Sequence, residues 1–548
     1  MRTDRSRRTF ATRDVVKTNV LFAAINPRCE ILAYVALALA LSTLLTALPA
    51  ACGSPPGIQR QSRGDNAPLV PAWKPDSRVQ MEGMSPDWVK TLIMAELRIE
   101  TATSPGTFAS AIKVLDHYAE MGVNGLWINP IFERSNPERN GYNNRGPNTL
   151  DPLLTGTSNL AESFKVVKQF VAEAHRRNIR ILFDIIVWGT SKDAPLVSEH
   201  PEFYRRRDGQ FVEVWGGYAF DWRSQPLREW FKNAAIGFIE KTDADGFRVD
   251  LAPDTSGYFF EEIRSELYVR GRKIALISEV AGEPKKTFDF EQIGVHGWTE
   301  RPDWQHPEKL KEQRRRFGRH NEYLLHSNIV DVIKSGVGIG AATLQQQGRG
   351  GMYRFYTSNL LCHDDAAPFV RGSRVRIGYT AIFAPLIPMW FIGEEWNNPR
   401  TVKNVMYFNA IDWPAMDEPT NRAFYEDVKQ MIRIRRSYPE IFEYYPADHR
   451  DSNICKVEVQ GNALQPYARY RNGRGILVIP NDGAADRTFQ ITVPLAGMGM
   501  TGTADLQVTD LMTRNILARG SAAKTGMLHV PVKQGHVIVL LIDQTRVD

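Results

Sequence analysis

The stretch DADGFRVDLAP, residues 243–253, sets Arg248 and Asp250 two positions apart, directly after Gly246 and Phe247. GFRVD has the length and apolar content of a short buried strand. In a strand, residues i and i+2 share a face, so the guanidinium and the carboxylate project to the same side. Such a pair at a strand end is either a structural ion pair or the charged floor of a reaction site. The flanking sequence decides which architecture it belongs to.

Upstream, RNIRILFDIIVW (177–188) has a core that is apolar on both faces, as a covered parallel strand must be. TLIMAELRIE (91–100) and VNGLWINPIF (123–132) read as further strands, and SAIKVLDHYAEMG (110–122) between them has helical spacing. Leu160, Phe164, Val167, Val171 and Ala174 recur at steps of four and three, which predicts a one-faced helix. Downstream come LREWFKNAAIGFIEKT (227–242, helix), a helix around Tyr258 to Arg270, and the strand-like KIALISEV (273–280), MYRFYTSN (352–359) and IPMWFIGEE (387–395). Strand followed by helix, repeated, predicts a parallel sheet with right-handed crossovers. About eight such strands over roughly 350 residues favour an α/β fold of the closed (β/α)8 TIM-barrel type. A doubly wound nucleotide-binding sheet is disfavoured, because no GxGxxG or GxxxxGK[ST] follows the first strand. The Gly- and Trp-containing stretch near 188–222 breaks the rhythm and reads as a short rim insertion. After Tyr445 the pattern turns to short strands and turns such as Asn472-Gly473, predicting a C-terminal antiparallel β-sandwich domain. The expected division is a catalytic barrel over 84–445 and an all-β domain over 446–548.

A chain of 548 residues exceeds what one core usually holds, in line with more than one domain. The formal charge of +6 is a weak field over this length, and much of the excess lies before residue 30. No basic stripe marks a nucleic-acid surface, and no such partner is expected. Four cysteines are too few for a disulfide scaffold; Cys362 and Cys455, in the body of the chain, are either two lone thiols or one bridge.

Residues 1–52 read as an export signal or lipoprotein leader. A basic segment precedes the apolar run CEILAYVALALALSTLLTALPAAC (29–52), which ends in small residues. LPAAC, ending at Cys52, resembles a bacterial lipoprotein cleavage site, so a membrane tether through the leader or a lipidated Cys52 is one expectation. Residues 53–83, rich in Gly, Pro and Ser, have the composition of a flexible tether. The expected location is outside the cytoplasm: periplasmic, on the cell surface as a lipoprotein, or secreted.

Several predicted barrel strands finish in an acid. Asp184 ends RILFD, Asp250 ends GFRVD, Glu279 ends IALISE, and His363-Asp364 follow MYRFYTSN after a short loop. In a barrel, C-terminal strand ends open on one face, where active sites lie. Carboxylates far apart in sequence can therefore converge. Glycoside cleavage with retention needs two carboxyl groups about 5–5.5 Å apart, one as nucleophile and one as acid/base. Arg248 would favour an ionised nucleophile, while the acid needs a raised pKa.

These motifs, in this order, resemble those of the alpha-amylase superfamily of glycoside hydrolases and transglycosylases over roughly Thr91 to Asp543. GVNGLWINPIF resembles its second-strand segment, ILFDIIVW the third, DGFRVD the fourth, ALISEV the fifth, LLCHDDAAP the seventh and PMWFIGEEW the eighth. The resemblance implies Asp250 as nucleophile, Glu279 as general acid/base and Asp364 as the residue that holds the distorted ring. It implies Tyr142 (in NGYNN), Asp184, Arg248 and His363 as substrate-binding neighbours. Trp188 joins them at a position where the family has another residue. The implied activity is retaining hydrolysis of α-glucosidic linkages in malto-oligosaccharides or related α-glucans. The alternatives are transglycosylation or isomerisation of short α-glucosides, or carbohydrate binding on an impaired site. The departures are specific. The Asn-His pair that usually follows the third-strand acid is replaced by Trp188-Gly189, and Pro253-Asp254 follow the fourth-strand motif. Trp188 cannot ligate a metal, which weighs against the family's calcium site. No metal ligand set and no cofactor are implied. These departures predict something other than a standard endo-acting starch hydrolase.

Overall fold

Eight parallel strands form the centre of the fold: β1 (Met94–Leu97), β2 (Gly125–Ile128), β3 (Arg180–Ile186), β4 (Gly246–Asp250), β5 (Ala275–Ser278), β6 (Phe290–Gln292), β7 (Phe355–Asn359) and β8 (Ile387–Phe391). Each is hydrogen-bonded to its successor in the chain, and β8 pairs back onto β1, so the strands close a ring. This computed structural model describes residues 85–136, 140–250, 257–279, 290–292, 355–359, 374–385, 387–399, 409–442, 453–459, 464–500 and 505–545. All of them belong to one compact unit, Ala67–Asp548. The leader, the tether, His363, Asp364 and Cys362 lie outside the described residues. Among the described residues no helix is long and apolar enough to cross a membrane.

Helices cover the outside of the ring. α1 (Phe108–Met121) follows β1, α2 (Leu160–Arg176) follows β2, α3 (Gln225–Thr242) follows β3, and α4 (Gly257–Val269) follows β4. After β8 comes α5 (Pro419–Ser437). The first three start where a side chain caps orphan backbone N–H groups: Thr107, Asn159 and Ser224 accept from Ser110, Glu162 and Leu227. Each buries a stripe at helical spacing, in α1 Phe108, Ala111, Leu115 and Tyr118. The seam between α1 and the segment after β8 is closed by His117, which meets Glu395 at 3.0 Å and stacks on Tyr425.

Alternation along the strands sends one set of residues outward to the helices and the other inward. Met94, Trp127, Leu182, Ala275, Ile277, Ile387 and Met389 form their own apolar cluster, joined by Val89 and Leu92 from the turn of helix before β1. The interior is therefore packed, and among the described residues the buried charged groups on these strands are Glu96, Asp184, Arg248 and Asp250.

The rim insertion is a small sheet. Gly189–Ser191 pairs antiparallel with Gly217–Ala219, which in turn pairs with Glu213–Val214. The C-terminal strands form a six-stranded sheet and a three-stranded sheet. Leu477, Val508 and Leu540 of the first share one apolar cluster with Phe489, Ile491 and Val530 of the second. Tyr379 and Tyr467 tie this region to the barrel: the Tyr467 hydroxyl donates to the Tyr379 carbonyl, and the Tyr379 hydroxyl to that of Gln465, both at 2.7 Å. Cys455 is buried in the cluster shared by the two sheets.

Among the strands that escape the sequence reading, Phe290–Gln292 is too short to show a period, Ile516–Ser521 buries none of its positions, and Met527–Val532 alternates with exposed positions that dilute the apolar signal. Asp184 is also placed differently from expectation. It does not end its strand, because β3 continues to Ile186. Ile186 stands level with Asp250, whereas Asp184 stands level with Arg248, one layer deeper.

Candidate active site

That difference in depth organises the site. Arg248 is fully buried at the centre of three carboxylates. Its Nη1 donates to Asp184 Oδ1 at 2.9 Å and to Asp250 Oδ1 at 2.7 Å, and its Nη2 lies 3.3 Å from Glu279 Oε1. The guanidinium lies 4.7 Å from the ring centroid of Trp127 and 5.8 Å from that of Tyr142, within range of a cation–π contact. Asp184 is the deep anchor. Its Oδ2 accepts from the Tyr142 hydroxyl at 2.5 Å and from Trp127 Nε1 at 3.0 Å. Asp184 and Arg248 have no exposed surface, while Asp250 keeps 6%, Glu279 3% and Tyr142 9%. The three that retain surface are the ones a ligand at the mouth can reach; the other two hold them in place.

The electrostatics follow from one cation among three buried acids. Burial alone would loosen the Arg248 proton, but the charges of Asp184, Glu279 and Asp250 raise its affinity well above the ordinary value. Asp250 is also pushed well above the usual carboxylate range, first by burial and then by the charge of Glu279, against the downward pull of Arg248. Arg248 thus favours the ionised form of Asp250, as the sequence predicts, but does not outweigh burial and the neighbouring acids. The guanidinium is shared among three buried acids.

Trp188 and Gly189 explain each other. Gly189 starts the rim sheet directly after β3, opposite Ala219, and a Cβ there would stand 1.9 Å from the Tyr218 carbonyl oxygen. Rim backbone occupies the space a side chain would need. Trp188 is buried, meets Trp215 edge-on at 5.6 Å, and fills the room left by Gly217, where a Cβ would lie 2.7 Å from its indole. Trp222, a second aromatic of the insertion, is buried against Phe231 and Phe259 with its Nε1 donating to the Val187 carbonyl at 2.9 Å. It closes the insertion onto the barrel.

A family model described as "Alpha amylase, catalytic domain" matches residues 61–211. The crystal structure of a noncanonic maltogenic alpha-amylase from Thermotoga neapolitana superposes with a TM-score of 0.63 over 83% of this chain and all of the other, at 19% identity. The similarity to the alpha-amylase catalytic domain is thus carried in sequence by residues 61–211. At that identity the structural likeness speaks for the fold alone. Among curated relatives, the chloroplastic isoamylase SU1 of Zea mays is 27% identical over 239 residues, which span 36% of this chain and only 30% of that protein. Malto-oligosyltrehalose trehalohydrolase of Saccharolobus solfataricus is 23% identical over 473 residues, 75% of this chain and 79% of the relative.

The third-strand segment departs from the pattern that the resemblance implies, with Trp188-Gly189 in place of Asn-His. The calcium site that the family resemblance implies does not fit at Trp188, whose indole is packed between Trp215 and Gly217 and offers no ligand atom. Among the described residues no group of three or more His, Cys, Asp or Glu converges to hold a metal. His363 and Asp364 lie outside the described residues; β7, which precedes them, sits between β6 and β8 in the ring. Sequence reasoning missed Trp127. Its position two residues before Asn129, on the inward face of β2, was the available signal. It missed Glu96 as well, a fully buried acid that accepts from Asn129 Nδ2 at 2.8 Å on the inward face of β1.

Proposed function

We propose that this protein is a retaining enzyme acting on α-glucosidic linkages of malto-oligosaccharides or related α-glucans. One observation carries the reading: Asp250 and Glu279 grip neighbouring nitrogens of a single buried guanidinium and are two of the few acids in the mouth that keep exposed surface. Carboxylates held by one fork stand close together, as double displacement requires at about 5–5.5 Å; inversion needs a wider gap to admit a water between acid and sugar. Asp250 attacks the anomeric carbon. Glu279 protonates the leaving oxygen and then, as base, activates the water or sugar hydroxyl that releases the glycosyl group. Double displacement requires Asp250 ionised for attack and Glu279 protonated to assist departure. Tyr142 offers its ring as a platform for the reacting sugar, fixed by its bond to Asp184. Asp364 and His363 complete the ring's hydroxyl contacts in this reading. The same reading takes 84–445 as a complete (β/α)8 barrel, 446–548 as a β-sandwich, and the leader as an export signal.

The test is a product profile on maltose, maltotriose and starch with the parent protein and with Glu279→Gln. Turnover by the parent and its loss in the variant is the expected result; glucose alone identifies hydrolysis, and longer or isomeric sugars identify transfer. A parent inert on a broad panel of α-glucosides defeats the catalytic reading.

A further inference from the structure

The rim hairpin carries a tryptophan where backbone geometry disfavours one. Val214 pairs with Gly217, leaving Trp215–Gly216 as a two-residue loop in which both residues have positive φ, +46° and +83°. Such loops favour Asn-Gly or Asp-Gly, because a Cβ at positive φ crowds the backbone and only short polar side chains compensate. This chain uses the favoured solution elsewhere: Asn472–Gly473, at +51° and +75°, joins the paired Arg471 and Arg474. At 215 the same geometry is imposed on an indole that is 52% exposed. Neither turn preference nor burial accounts for Trp215.

The surroundings point to what does. The Trp215 ring leans edge-on against Trp188, two residues beyond the end of β3. Its carbonyl accepts from Asn143 Nδ2 at 3.3 Å, and Asn143 follows Tyr142, whose hydroxyl is bound to Asp184 at the floor of the site. The exposed indole is therefore fixed to the loop that carries the Tyr142 platform. A rigid, half-exposed indole suits the C–H face of a pyranose, which is apolar above and hydroxylated around its edge.

We propose that Trp215 is a stacking platform for a glucosyl unit of the bound α-glucan beyond the ring held at Asp250. The proposal rests on the α-glucan reading above. It sets an aromatic contact farther along the chain of sugars in place of the histidine that the resemblance implies at Gly189. The experiment is calorimetric titration of maltose and maltopentaose into the full chain carrying Glu279→Gln, alone and with Trp215→Asn or Trp215→Tyr, with the melting temperature of each. Trp215→Asn should weaken maltopentaose binding about 2- to 12-fold, the value of one aromatic contact. Trp215→Tyr should recover most of the loss. The Asn variant should melt no lower than its parent, since Asn suits the turn. Equal maltopentaose affinity with and without Trp215 overturns this proposal and leaves the α-glucan reading intact. Failure of the Trp215-containing protein to bind either sugar overturns that reading, and this proposal with it. A marked fall in melting temperature for Trp215→Asn shows the indole to be structural and also overturns the proposal.

Discussion

Replacing Arg248 with methionine keeps much of the side-chain volume but removes the cation shared by Asp184, Asp250 and Glu279. All three acids contact it within 3.3 Å, and none is more than 6% exposed. Removing one partner of a buried ion pair costs about 3–5 kcal/mol, because the remaining charge is left uncompensated. Unfolding entropy of about 2.1 cal/mol/K per residue, over a unit running from Ala67 to Asp548, makes 1 kcal/mol worth about 1 °C. R248M should therefore melt about 3–5 °C below the parent near pH 7.5. The pH dependence has a definite sign. Without the guanidinium the acids bind protons more tightly when folded than when unfolded. A carboxyl raised in this way leaves stability intact below its unfolded pKa, about 4, and takes it away as pH rises through the folded value. The deficit of R248M should thus shrink as pH falls towards 4, and adding Asp184→Asn should return part of it at neutral pH, since the two positions are directly coupled. Thermal unfolding of parent, R248M and R248M/D184N at pH 4.5 and 7.5 measures all of this. A deficit below about 1 kcal/mol at pH 7.5, or one of equal size at both pH values, would refute the shared-cation account.

Two further substitutions probe the parts that hold the site. Tyr142→Phe removes the 2.5 Å bond to Asp184 while leaving the ring, so kcat/KM should fall roughly tenfold with a stability loss of about 1.5–3 kcal/mol, the usual worth of a hydrogen bond to a charged group; unchanged kinetics would show that the platform needs no anchor. Gly189→Ala places a Cβ 1.9 Å from the Tyr218 carbonyl oxygen, so the rim sheet must shift, at a cost of about 1–3 kcal/mol. Its melting temperature should drop, and a variant as stable as the parent would show that the rim backbone yields freely at that point.

Much of the fold was legible because local chemistry repeated it. Long strands and amphipathic helices announced themselves by period and by caps: β3 by its unbroken apolar run, α2 by its stripe from Phe164 to Ala174, the Asn472–Gly473 hairpin by a dipeptide that needs positive φ. What failed was short or diluted. Phe290–Gln292 has three residues and no period, and Met527–Val532 alternates buried with exposed positions but opens on an exposed Met. Strand order, by contrast, is beyond any local signal, because pairing β8 to β1 joins segments nearly three hundred residues apart.

The sequence by itself determined which residue types could do chemistry. Strand-end acids, an arginine two positions before one of them, and the replacement of Asn-His by Trp188-Gly189 are all readable from their order in the chain. Only the tertiary structure decided their ranks. It set Asp184 one layer below Asp250, gave three acids a single guanidinium, raised the Asp250 carboxyl against that cation, and made Gly189 and Gly217 the space into which rim backbone and the Trp188 indole fit. The physical reason is that depth, shared charge and steric room arise between strands that touch in space. They depend on distances no linear pattern encodes, whereas residue type and period are carried by each segment alone.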